Sequence, residues 1–152
     1  MKTMKILKSV CAAVMVAGAM CGMSACDWEE SHGQLDGFWH LQAVDTLATG
    51  GQCQLEEPTV FWSVEGKVLE TRILPFKILF FRYDHQGDEL RLYAPMGTKD
   101  PTVTDADYPI TDETRLYEFG VHGLDTRFRI LQLTSQRLVL QDDTLRLHFE
   151  RY

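Results

Sequence analysis

Cys53, four of the five histidines, a mid-chain group of aspartates and a rich set of aromatics are the residues of this 152-residue chain whose types could do chemistry. A cysteine acts as a nucleophile only as thiolate, which needs positive charge nearby. Cys53 lies in the loop-like segment Gly50-Gly51-Gln52-Cys53-Gln54, followed by Glu56 and Glu57, the wrong setting for one. His40, His85, His122 and His148 show no zinc-site spacing. His40 and His148 fall on the outward faces of the expected first and last strands, so their rings would approach each other if those strands are neighbours. Asp100, Asp105, Asp107 and Asp112 offer the oxygen ligands that calcium takes, but not the Asp/Asn-and-glycine series of a helical calcium loop, and they read as a solvated acidic loop. Neither a nucleophile elbow, a phosphate loop nor His-Glu-x-x-His occurs, and in so acidic a chain no carboxylate pair stands out as a glycosidase dyad. The expectation is a protein that is not an enzyme and takes no metal or cofactor. An enzyme with an unrecognised site is the alternative.

The aromatics carry a different chemistry. Trp62, Phe76, Phe80, Phe119 and Phe128 are candidates to line an apolar cavity for a small hydrophobic ligand. The competing reading is that they fill a core.

The elements that must position these residues follow a period of two. Trp39, Leu41 and Ala43 alternate with His40, Gln42 and Val44. A second strand, 59–64, sets Val60, Trp62 and Val64 on one face, and 67–72 runs back after Glu65-Gly66. In 76–83, Phe76, Ile78 and Phe80 share one face and Leu79, Phe81 and Tyr83 the other, so both faces are apolar. Leu90 and Leu92 mark the return after a turn at 84–88. From 94 to 112 the pattern lapses among Pro95, Gly97, Pro101 and Pro109, which predicts a long loop of the kind that often holds binding function. Alternation resumes at 115–121, then at 128–133, 137–141 and 144–152. Eight or nine sequential strands with tight turns predict an all-β, antiparallel up-and-down meander, closing into a barrel of about eight strands. Its outward faces carry Arg127, Arg129, Arg146 and Glu150, too polar for a barrel set in lipid.

Charge and the N-terminus bound the setting. Fifteen basic residues against 22 acidic ones give a net charge of -7, which with no basic cluster excludes nucleic acid as a partner. Lys2, Lys5 and Lys8 precede 17 uncharged residues, 9–25, as in a secretory leader. Removing residues 1–25 takes three lysines and no acid, so the net charge falls from -7 to -10. Cys11 and Cys21 leave with the leader, and no disulfide framework remains.

Two resemblances sharpen this picture. Met23-Ser24-Ala25-Cys26 resembles the lipobox of bacterial lipoproteins, with Met23 where leucine is commonest. That implies acylation of Cys26 and attachment to a membrane through the acyl chains, since two or more chains anchor stably. A plain signal peptide ending at Ala25 and an uncleaved N-terminal helix are the alternatives. The acidic run at 27–30 resembles the surface-export signal of lipoproteins in the Bacteroides group, or is a solvated tether. The domains expected are a leader at 1–25, a lipidated tether at 26–34 and a barrel at 35–152. Within the barrel, Gly37 and Trp39 at the start of the first strand resemble the Gly-x-Trp of lipocalin-like domains. The resemblance implies an arginine late in the last strand that lies across the tryptophan and closes the barrel, and Arg151 is the match. The segment 128–149 is also similar to small lipocalin-like lipoproteins of Bacteroides-type bacteria. The resemblance implies a noncatalytic outer-membrane lipoprotein of the cell envelope. Its partner would be a small hydrophobic ligand or an envelope protein met by the outer surface beside the 94–112 loop.

Overall fold

A computed structural model describes residues 34–55, 59–75, 77–98 and 107–152. The leader, Cys26, the acidic run, Phe76, Asp100 and Asp105 lie outside the described residues. All described residues fall within the unit Ser31–Tyr152.

Ten strands form one antiparallel sheet: β1 (Gly37–Thr46), β2 (Gly51–Gln54), β3 (Val60–Glu65), β4 (Val68–Ile73), β5 (Lys77–Gln86), β6 (Glu89–Gly97), β7 (Tyr108–Pro109), β8 (Asp125–Leu133), β9 (Arg137–Gln141) and β10 (Leu145–Arg151). Eight of them close a ring in the order β1-β3-β4-β5-β6-β8-β9-β10, with β10 pairing back to β1. Closure satisfies both edge strands of the meander, so no long ladder is left open for a foreign chain. Short β2 extends the β3 side of β1, and β7 pairs with the end of β6.

Leu41, Trp62, Val64, Leu69, Leu90, Leu92, Phe128, Leu138, Leu140, Leu147 and Phe149 point inward as the alternation predicts, and all join one buried core. Outside the barrel, Phe61 is also buried, because Phe38 stacks on it at 4.9 Å and the C-terminal Tyr152 meets it edge-on at 5.5 Å. Tyr152 is held there by its N–H, which donates to the Phe38 carbonyl at 2.8 Å.

The expected pattern is corrected at four places. A bulge between Leu41 and Ala43 puts Ala43 opposite outward-facing His148 and Val44 opposite inward-facing Leu147, so Val44 packs on the core in place of Ala43. The stretch at 51–54, which reads as loop, is strand β2, because β1 outruns β3 and leaves its far half unpaired on that side. The loop predicted to begin at Ala94 begins later. A kink at Ala94, whose φ is +49°, lets β6 continue through Pro95 to Gly97, and the Pro95 carbonyl accepts from Ile110 N–H at 2.9 Å.

The fourth correction matters most for the site. Residues 115–121 are not a strand; Glu113–Phe119 is a 3-10 helix. Asp112 caps it by accepting from Thr114 N–H at 3.0 Å, and Gly120 ends it at φ +80°. In a three-residue turn, Leu116 and Phe119 fall on the same side, and both are buried.

Candidate functional site

The interior of the barrel is the candidate site. Trp62 stands at its centre, 4.9 Å from the Phe149 ring and 5.9 Å from Phe128, which it meets edge-on. Trp39, Trp62, Phe81, Phe119, Phe128 and Phe149 are each at most 2% exposed, so these rings are covered by one another and by the surrounding core.

One end is held by β1 and β10. The Arg151 guanidinium lies 4.4 Å from the centroid of Trp39, a cation–π contact worth about 0.5–2 kcal/mol. It also donates to the carbonyls of Asp36 at 3.0 Å and Gln34 at 2.9 Å, while Trp39 Nε1 donates to Leu35 at 2.8 Å. Gly37 is required beneath this arginine: its φ is +147°, and a Cβ there would sit 2.5 Å from Arg151 Nη1.

The 3-10 helix closes over the core. Trp62 Nε1 donates to the Phe119 carbonyl at 3.1 Å, and the segment packs against β4. An exposed ion pair, Lys77 Nζ to Glu118 Oε2 at 2.6 Å, ties it to the start of β5. Arg115 donates to the Tyr108 hydroxyl at 2.8 Å, and the Tyr108 ring covers Gly97 of β6.

Of the five aromatics singled out in the sequence, Trp62, Phe119 and Phe128 meet in the interior. Phe80 does not. It is half-buried on the outer face, between buried Leu79 and Phe81, opposite Glu70 and Met96. Both faces of that strand are apolar, and alternation alone does not say which one turns inward. Phe81, Leu116 and Thr71 are interior residues that the sequence reading did not select. An Asp cap, a glycine stop and the i, i+3 pair of Leu116 and Phe119 are the signals that mark the 3-10 helix.

The polar candidates do not assemble a site. β1 and β10 are neighbours, yet His40 sits opposite Glu150 and His148 opposite Ala43. His40 Nδ1 meets Gln42 Nε2 at 2.7 Å, and burial pulls its pKa below the ordinary histidine value against the pull of Glu150. His148 Nε2 pairs with Asp45 at 2.8 Å, and that hydrogen bond holds the Asp45 carboxyl below the usual carboxylate range, with Gln52 and Arg146 adding to it. Asp112 is a helix cap, Asp107 is exposed, and Cys53 is an exposed free thiol. Among the described residues no group of three His, Cys, Asp or Glu could hold a metal ion. A polar groove of about 380 Å³ is lined by Asp88, Glu89, Arg127, Arg129, Asp142 and Asp143, and in it Arg127 pairs with Glu89.

The comparisons with known proteins agree with this geometry. The family model described as a lipocalin-like domain matches residues 21–152. The chain belongs to that family. A lipocalin-like protein from Bacteroides uniformis is similar in structure, with a TM-score of 0.59 at 18% identity over 79% of this chain and 100% of the other. An uncharacterized protein from Bacteroides eggerthii gives 0.57 at 12% identity, over 77% of this chain and 98% of its own. A protein from Burkholderia xenovorans gives 0.53 at 15% identity, over 86% and 93%. Among curated proteins none matches. At these identities the likeness is one of fold, a lipocalin-like barrel.

Proposed function

We propose that this lipocalin-like chain is a noncatalytic, lipid-anchored protein of the bacterial cell envelope that takes a small hydrophobic ligand into the barrel end covered by the 3-10 helix. The observation that carries this reading is the interior itself. Apart from Thr71 it is lined by apolar and aromatic side chains, and at the 3-10 helix its cover is a single short helix rather than sheet. Binding there requires Leu116 and Phe119 to give up their places. The anchor is Cys26, whose acylation would leave the polar barrel in water beside the membrane. Metabolic labelling of the full chain with a palmitate analogue tests the anchor: label and membrane retention are expected in the native chain and lost in Cys26→Ala. For the ligand, mature protein purified without detergent is extracted with organic solvent and analysed by mass spectrometry. A stoichiometric apolar compound is expected, and a protein that carries none and binds no apolar probe would overturn this part of the reading.

A second reading has its own observation. The interior aromatics are already covered in this state, so the barrel also serves as a rigid scaffold that meets an envelope protein with its outer surface. Under that reading, cross-linking in cells captures a partner while apolar probes leave the melting temperature unchanged.

A further inference from the structure

Thr71 on β4 is fully buried, and among the described residues its hydroxyl has no hydrogen-bond partner. It faces inward. Its cross-strand neighbours are Trp62 on β3 and Leu79 on β5, both part of the buried core. Thr126, the other buried polar residue of the described chain, donates to the Gly123 carbonyl at 3.1 Å. Thr71 is therefore the buried hydroxyl that the fold leaves unused. A buried hydroxyl without a partner lowers stability, and valine has nearly the same shape without that penalty. The position of Thr71 relates it to the closure. It lies directly across from Trp62, whose indole N–H holds the Phe119 carbonyl, on the strand against which the 3-10 helix packs.

We infer that Thr71 Oγ1 is the polar contact of the bound ligand, and that the ligand is a small, uncharged hydrophobic molecule bearing one hydrogen-bonding oxygen or nitrogen. The inference rests on the interior-binding reading above and gives it a ligand class. Uncharged follows from the interior: among the described residues no Asp, Glu, Lys, Arg or His is buried, Thr71 and Thr126 being the buried polar ones. An ion brought there would meet no countercharge. A single polar group follows from the single unused buried hydroxyl among the described residues. The hydrophobic remainder takes the space of Phe119, which sets its scale at about one aromatic ring.

p-Cresol and toluene differ only by a hydroxyl and match that scale. Their affinities are measured by calorimetry for the mature chain, which contains the complete closed sheet, and for Thr71→Val. The expected result is that Thr71→Val weakens p-cresol about tenfold and leaves toluene within about twofold. The same variant is expected to melt at a higher temperature than the native protein when no ligand is present. Equal changes for both probes, or none, would overturn the role of Thr71 while leaving interior binding intact. A lower melting temperature for Thr71→Val would show that the hydroxyl already has a partner, and would also overturn it. If neither probe binds the native protein, the interior-binding reading falls together with this inference.

Discussion

Three residues, Gly37, Trp39 and Arg151, meet where the first and last strands pair, and they pack as one unit. The arginine stacks on the indole and reaches two carbonyls of the chain leading into β1, and that geometry leaves room only for hydrogen at position 37. Gly37→Ala is expected to lower the unfolding free energy by about 1–3 kcal/mol, and by less when Arg151→Ala is also present, because part of the penalty is the clash between them. Urea denaturation of the two single variants and the double variant measures that coupling. Arg151→Lys keeps the charge but loses the flat stack and the two-armed contact, so a loss of about 1–2 kcal/mol is expected in the same assay. Two further residues give the protein an acid dependence. The folded state depresses the pKa of His40 by burial and that of Asp45 by its bond to His148. A depressed folded-state value means that the stabilising contribution is complete above the unfolded value and lost as pH falls through the folded one. The His40 contribution therefore starts to fade just below pH 6.5 and the Asp45 contribution below pH 3.8, the values of the free groups. Asp45→Asn is expected to be less stable than the native protein at neutral pH. The gap should close as the solution is acidified below the Asp45 range, as followed by denaturation at a series of pH values.

At the scale of elements, the 3-10 helix decides how the interior is reached. Among the described residues its cover includes two buried side chains, one hydrogen bond from Trp62, one from Arg115 to Tyr108 and one exposed ion pair. These do not carry equal weight. Lys77 and Glu118 are largely in water, so Lys77→Ala is expected to change stability by no more than about 0.5 kcal/mol. Phe119→Ala removes a buried ring beside the core and is expected to cost about 3–5 kcal/mol, less if the segment collapses into the space. Thermal unfolding of both variants distinguishes a cover held by packing from one held by charge. The bulge in β1 belongs to the same scale. By turning Val44 inward and Ala43 outward, it sets His148 beside Asp45 rather than His40.

At the scale of the whole molecule, closure joins the first strand to the last, so the sheet is complete only when residues 37–46 meet residues 145–151. Deleting 145–152 would leave β1 and β9 with open edges and remove Leu147 and Phe149 from the core; loss of the cooperative denaturation transition is the expected outcome, read by near-ultraviolet circular dichroism. The meander, the inward phase of most strands and the Gly37-x-Trp39 start were legible in the sequence, because strand periodicity and hairpin turns are local properties of the chain. So was the pairing of Trp39 with Arg151, through the family resemblance. Other features were decided only by the tertiary structure. Phe80 and Phe81 are equally apolar, and which of them turns inward depends on pairing with β4 and β6. Residues 115–121 alternate as a strand would, but the ring of eight strands closes without them, and the burial of Leu116 with Phe119 favours a tight helical turn. Thr71 is an ordinary strand residue in the sequence. Its unpartnered hydroxyl exists only because closing the sheet excludes water from that side of β4.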